Sequence, residues 1–116
     1  MEKEFTLTSE LKDGCLVMRT SGYVNNSGGE KIAGEFSKHY ENGIKKVVLN
    51  FENSKVVNSI GISFLIEIIE KLNEVQGKLV FTNLDPAVEK TLTIMGLFNF
   101  AGLEKTDNDA LKSLNG

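Results

Sequence analysis

The sequence predicts an α/β domain: an N-terminal β-hairpin continuing into a mostly parallel sheet with about four helices. Two short apolar, β-branched runs, KKVVLNF and KLVFT, alternate with segments of helical hydrophobic period. The spacing between them suits right-handed crossovers between parallel strands. Before them, Phe5 to Leu11 alternates apolar and polar residues up to Lys12-Asp13-Gly14, a tight-turn signal, and Cys15 to Thr20 resumes as an apolar strand.

The remaining elements follow in order. Asn25-Asn26-Ser27-Gly28-Gly29 is a loop with N-cap candidates, opening a helix over 29–41 in which Ile32, Ala33, Phe36 and Tyr40 share a face. Asn42-Gly43 ends it with residues suited to a left-handed turn. Lys45 to Phe51 reads as a strand buried on both faces. A helix over 61–75 is broken by Gln76-Gly77, and Lys78 to Thr82 forms the next strand. Asp85-Pro86 supplies an N-cap and first-turn proline for a helix over 86–95, with Gly96 as stop. Phe98 to Leu103 is a last strand and Asp107 to Leu114 a terminal helix.

The length of 116 residues fits one domain, 1–116, with a core that needs no staples. A hydrophobic share of 41% with 25% charged residues excludes a disordered chain. The net charge of -3 offers no basic surface for nucleic acid. The opening MEKEFTLTSE has no apolar core of a secretory signal, and no apolar run approaches the roughly 18 residues of a membrane span. Cys15 alone excludes an internal disulfide and favours a reducing, cytoplasmic setting.

The stretch Val56-Val57-Asn58-Ser59-Ile60-Gly61-Ile62 places small polar residues where a strand gives way to an apolar helix. On a wheel of roughly 100° per residue, Leu65, Ile68, Ile69 and Leu72 face the sheet, while Glu67, Lys71 and Glu74 face solvent. Ser59, Ser63 and Glu70 share a flank, with Ile62 and Ile66 at the edge of the apolar stripe beside them. A helix N-terminus has unpaired N–H groups and a partial positive charge. That position suits two roles: a cap supplied by Ser59 or Asn58, or an acceptor for phosphate. Gly61 fits either a close approach by another backbone or a tight turn.

Enzymatic signals are missing. His39 reads as a flank residue beside Tyr40, and one His, one Cys and scattered carboxylates have no metal-ligand spacing. No nucleophile elbow and no phosphate-binding glycine loop is present. Cys15 lies inside an apolar strand, as a structural thiol does. Neither catalytic residues nor a cofactor or metal is expected.

Asn58-Ser59-Ile60-Gly61-Ile62-Ser63 resembles the Asp-Ser-Ser-Gly-Leu-Gly motif of the anti-sigma factor antagonists, the bacterial STAS domains. KKVVLNFENSKVVNS resembles the strand and loop before that motif, and GKLVFTNLDPAVEKTLTIMGLFNF the strand, helix and Gly-Leu-Phe ending after it. Ser21-Gly22 also fits, and the likeness runs over essentially the whole chain. Three positions depart: Asn58 stands for the family aspartate, Ile60 for the second motif serine, and Asn25 for an acidic loop residue.

The resemblance implies a binding module that is itself a substrate. A partner that is both anti-sigma factor and serine kinase phosphorylates the motif serine, here Ser59. The unmodified form holds that partner and frees a sigma factor, and a PP2C-type phosphatase resets the cycle. The implied partner surface comprises Asn25, Asn26, Ser27, Asn58, Ser59, Ile60, Gly61, Ile62, Ser63 and Ile66, on a monomer or weak dimer. The alternative is a STAS scaffold or ligand-sensing module that is never phosphorylated.

Overall fold

The computed structural model describes residues 4–116. Its elements are β1 (Thr6–Lys12), β2 (Cys15–Ser21), α1 (Asn26–Tyr40), β3 (Lys46–Asn53), α2 (Ser59–Glu74), β4 (Lys78–Thr82), α3 (Pro86–Ile94), β5 (Gly102–Glu104) and α4 (Asp107–Asn115). Asp13 and Gly14 turn the hairpin with φ of 53° and 77°. Two successive positive φ values give the turn whose twist matches the flanking strands. Sheet order is β1-β2-β3-β4-β5, with β1 antiparallel to β2 and every later pairing parallel.

The continuous apolar runs follow from burial on both sides. Val47, Leu49, Phe51, Leu79 and Phe81 pack beneath α1 and α2 against Ile32, Phe36, Leu65, Ile68 and Leu72. The alternate residues Val17, Val48 and Val80 face the other way and are closed off by Ala110 and Leu111 of α4. Buried polar residues in the strands are paired: Asn50 Nδ2 donates to Asp107 at 3.0 Å and its Oδ1 accepts from the Glu52 amide, and the Thr82 hydroxyl also donates to Asp107.

Three expectations change. The first helix starts at Asn26, not at 29, because Gly28 and Gly29 belong to its first turn and lie buried. A Cβ on Gly29 would strike the Phe64 ring, so the glycines bring α1 close to α2. The last strand is only Gly102–Glu104. Leu97–Asn99 instead forms a 3-10 turn after Gly96, whose φ is 82°, so that Leu97 enters the core and Phe98 meets Phe81 edge-on. Ile62 is only 3% exposed and belongs to the core, not to the edge of the stripe.

Gly61 supplies a close approach within its own chain. An added Cβ would run into the Val24 carbonyl, which sits directly over the start of α2. Gly61→Ala should therefore destabilise the fold by about 1–3 kcal/mol, as overpacking does. Gly34→Ala is the control: it lies in α1 with open space where its Cβ would go, and should stabilise by about 0.5–1 kcal/mol. Chemical denaturation of both variants measures the contrast.

Candidate functional site

The starts of α1 and α2 are fastened together. The Val24 amide donates to the Val56 carbonyl at 3.0 Å, and the Asn58 amide donates to the Val24 carbonyl at 3.1 Å. These bonds make a parallel bridge between Val24 and Val57 and set the two helix N-termini side by side. Each begins with an extended asparagine. Asn25 Oδ1 accepts from the Gly28 amide at 3.0 Å, and Asn58 Oδ1 accepts from the Gly61 amide at 2.8 Å.

This geometry settles which residue caps α2. Asn58 is the cap of α2, so Ser59 is the first helical residue, exposed, with a hydroxyl that has no protein partner among the described residues. Ser63 differs, since its hydroxyl donates to the Ile60 carbonyl at 2.6 Å. The Asn58 amide is satisfied by Val24 and the Gly61 amide by the cap. The amides of Ser59 and Ile60 are the first-turn donors that remain. No acidic residue stands in the first turn of α1 or α2, whereas α3 has Glu89 and α4 has Asp107 and Asp109. The paired N-termini are thus uncompensated positive ends, open to added negative charge.

Asn26, Ser27, Ser59, Ile60 and Ser63 are exposed, while Asn25, Asn58 and Ile66 are half-buried. Gly61 and Ile62 lie beneath them and shape the surface without presenting to it. Two apolar residues that the motif does not point to complete the surface. Tyr23 is 43% exposed and Val56 54%, beside Ile60 at 50%. Val56 follows β3, and its carbonyl accepts from the Val24 amide beside the bridge while its side chain stays exposed.

Perturbed ionisable groups lie away from this surface. Glu35 is held down at about 2, first by the Ser9 hydroxyl, which donates to it at 2.6 Å, and then by Lys38 at 2.9 Å. Arg19 is raised by its hydrogen bond to Glu10 and by the nearby Asp107. Burial pushes the Cys15 thiol up. Among the described residues no group of three or more His, Cys, Asp or Glu is placed to hold a metal ion, and no helix is long and apolar enough to cross a membrane.

A family model described as the STAS domain matches residues 6–110. A Bordetella bronchiseptica protein that bears the name anti-sigma factor antagonist BtrV is 29% identical over 93 residues, covering 80% of each chain. The crystal structure of an anti-sigma factor antagonist from Mycobacterium paratuberculosis superposes with a TM-score of 0.87 at 20% identity, covering 100% of both chains. The Bacillus cell fate determinant SpoIIAA in its phosphorylated form gives a TM-score of 0.72 at 21% identity, over 95% of this chain and 98% of that one.

Asn58→Ala should cost ~1 kcal/mol, the usual loss for a helix cap, while Asn58→Asp keeps the accepting oxygen and should hold stability. Thermal unfolding of the pair separates cap from charge. The depressed carboxyl of Glu35 contributes stability that is full above the ordinary carboxylate range and disappears as pH falls toward about 2. Glu35→Gln should therefore be less stable than wild type at neutral pH, with the difference closing in acid; unfolding midpoints from pH 7 downward read this directly.

Proposed function

The chain belongs to the STAS domain family, and on that footing we propose that it is an anti-sigma factor antagonist switched by phosphorylation of Ser59. In this reading it is a substrate and binding module with no catalysis of its own. Unmodified, it holds an anti-sigma factor that is also a serine kinase, and so releases a sigma factor. The kinase transfers the γ-phosphoryl group of ATP to the Ser59 hydroxyl, which gives up its proton, with ADP leaving. A PP2C-type phosphatase returns the hydroxyl, and both reactions belong to the bacterial cytoplasm.

One observation carries the reading: Asn58 takes the cap, which leaves the Ser59 hydroxyl exposed and unbonded within the surface formed by Tyr23, Asn25, Val56 and Ile60. A phosphoserine carries about -1.5 to -2 charge at neutral pH. The helix dipole offsets part of that charge by about 0.3–1 kcal/mol, so the modified domain stays folded. At an interface the same group must be desolvated. A few kcal/mol lost there suffices, since each 1.4 kcal/mol is about tenfold in affinity. Neutral caps at Asn25 and Asn58 keep the hydrogen bonds of the family's acids and remove their repulsion of the phosphate.

Incubation with the cognate kinase and ATP, followed by peptide mass spectrometry, should place one phosphate on Ser59 and none on Ser59→Ala. Ser59→Ala should bind the kinase constitutively, and Ser59→Asp at least tenfold more weakly with near-unchanged stability. Wild-type affinity in Ser59→Asp together with an unmodified Ser59 would remove the switch and favour a phosphorylation-independent scaffold.

A further inference from the structure

Residues Ser59, Ser63, Ile66, Glu70 and Asn73 fall on one flank of α2, because steps near 3.6 residues return to the same direction. Beyond Ser63 this flank becomes one wall of a groove of about 290 Å³. Ile66 and Ile69 line it from α2, and Met95, Leu97 and Phe100 from the segment after α3. Phe100 is 67% exposed, Met95 50%, and the neighbouring Ile94 73%. Single exposed apolar residues are ordinary, but Met95 and Phe100 rim one groove, which suits it to receive apolar side chains of a partner.

Charge selects the occupant. Among the described residues Glu70 is the only charged one lining the groove, and none of them forms an ion pair with it. Its neighbour Lys71 is engaged 3.8 Å from Glu67. A partner that seats apolar side chains here meets an available carboxylate at the rim. A second copy of this chain is disfavoured, since a two-fold contact through the groove turns Glu70 toward its own equivalent.

We propose that this groove receives a segment of the anti-sigma factor, with apolar residues set between Ile66, Met95 and Phe100 and a Lys or Arg beside Glu70. The proposal rests on the function argued above and extends its surface along α2. From Ser59 to Asn73 the helix runs about 21 Å at about 1.5 Å per residue. One standard interface, about 800 Å² per partner and hence roughly 30 Å across, covers both the groove and the phosphorylation site. The switch therefore sits at one end of the contact and the apolar anchor at the other.

Titration calorimetry with the purified cognate anti-sigma factor tests this with Phe100→Ser and Glu70→Lys, both at exposed positions and both expected to keep the wild-type unfolding midpoint. Each should weaken binding at least tenfold, and wild-type binding should depend more steeply on salt than that of Glu70→Gln. Wild-type affinity in Phe100→Ser and Glu70→Lys, with Ser59→Asp still impaired, would overturn the groove and leave the switch standing. No binding by wild type would overturn both. Self-association of wild type in sedimentation that Phe100→Ser abolishes would assign the groove to a second copy and overturn the proposal.

Discussion

The surface around Ser59 depends on one backbone junction. Val24 leaves β2 and is gripped by the turn at Val56 and Asn58, with its carbonyl lying over Gly61. That contact fixes where α1 and α2 begin, and so brings two positive helix ends to one edge of the domain. Any side chain at Gly61 would part the loops. The neighbouring glycines act in the same sense: Gly28 lies under the Tyr23 carbonyl and Phe5, and Gly29 under Phe64. Packing against the sheet through Ile32, Phe36, Leu65 and Ile68 then holds the two helices at that separation.

Given this frame, chemistry at the helix ends is divided between residues. Asparagines satisfy one amide in each first turn without adding charge, and serine is left free beside one of them. A protein that used its serine as the cap would engage the very oxygen that must react. Here the cap is Asn58 and the proposed phosphate acceptor is the next residue, Ser59, so changing one need not melt the other. The opposite face is organised differently. Asp107 accepts from Thr82, Asn50 and Arg19, tying α4 across three strands in a network that uses its carboxylate fully. That side serves stability, and the proposed interaction falls on the α1–α2 edge.

The sheet and helices were legible because β3 and β4 are buried on both faces, which forces continuous apolar runs, and because Asp13-Gly14, Gly43 and Gly96 mark turns with positive φ. The position of Ser59 at a helix mouth was also legible from Asn58 and Gly61. Other features were not, for physical reasons. Ile62 lies at a stripe edge on a helical wheel, yet α1 packs close enough to bury it, and a wheel holds no neighbouring helix. Tyr23 and Val56 are exposed through a long-range bridge that no local pattern encodes. Phe98 to Leu103 has strand-like residues, but Leu97, Phe98 and Ala101 are taken by the core before pairing begins. The groove joins α2 to residues some thirty positions away, and only folding brings them together.

The central claim is that a phosphate on Ser59 acts where it stands, by charge and bulk on a surface already formed. Amide nitrogen–proton correlation spectra of the protein, with and without phosphoserine installed at position 59, test this most directly. The account predicts shifts confined to residues around 23–28 and 56–63, with the amides of β3, β4 and α4 unmoved. Broad shifts through those strands and α4 would contradict it, because the switch would then work by rearranging the fold.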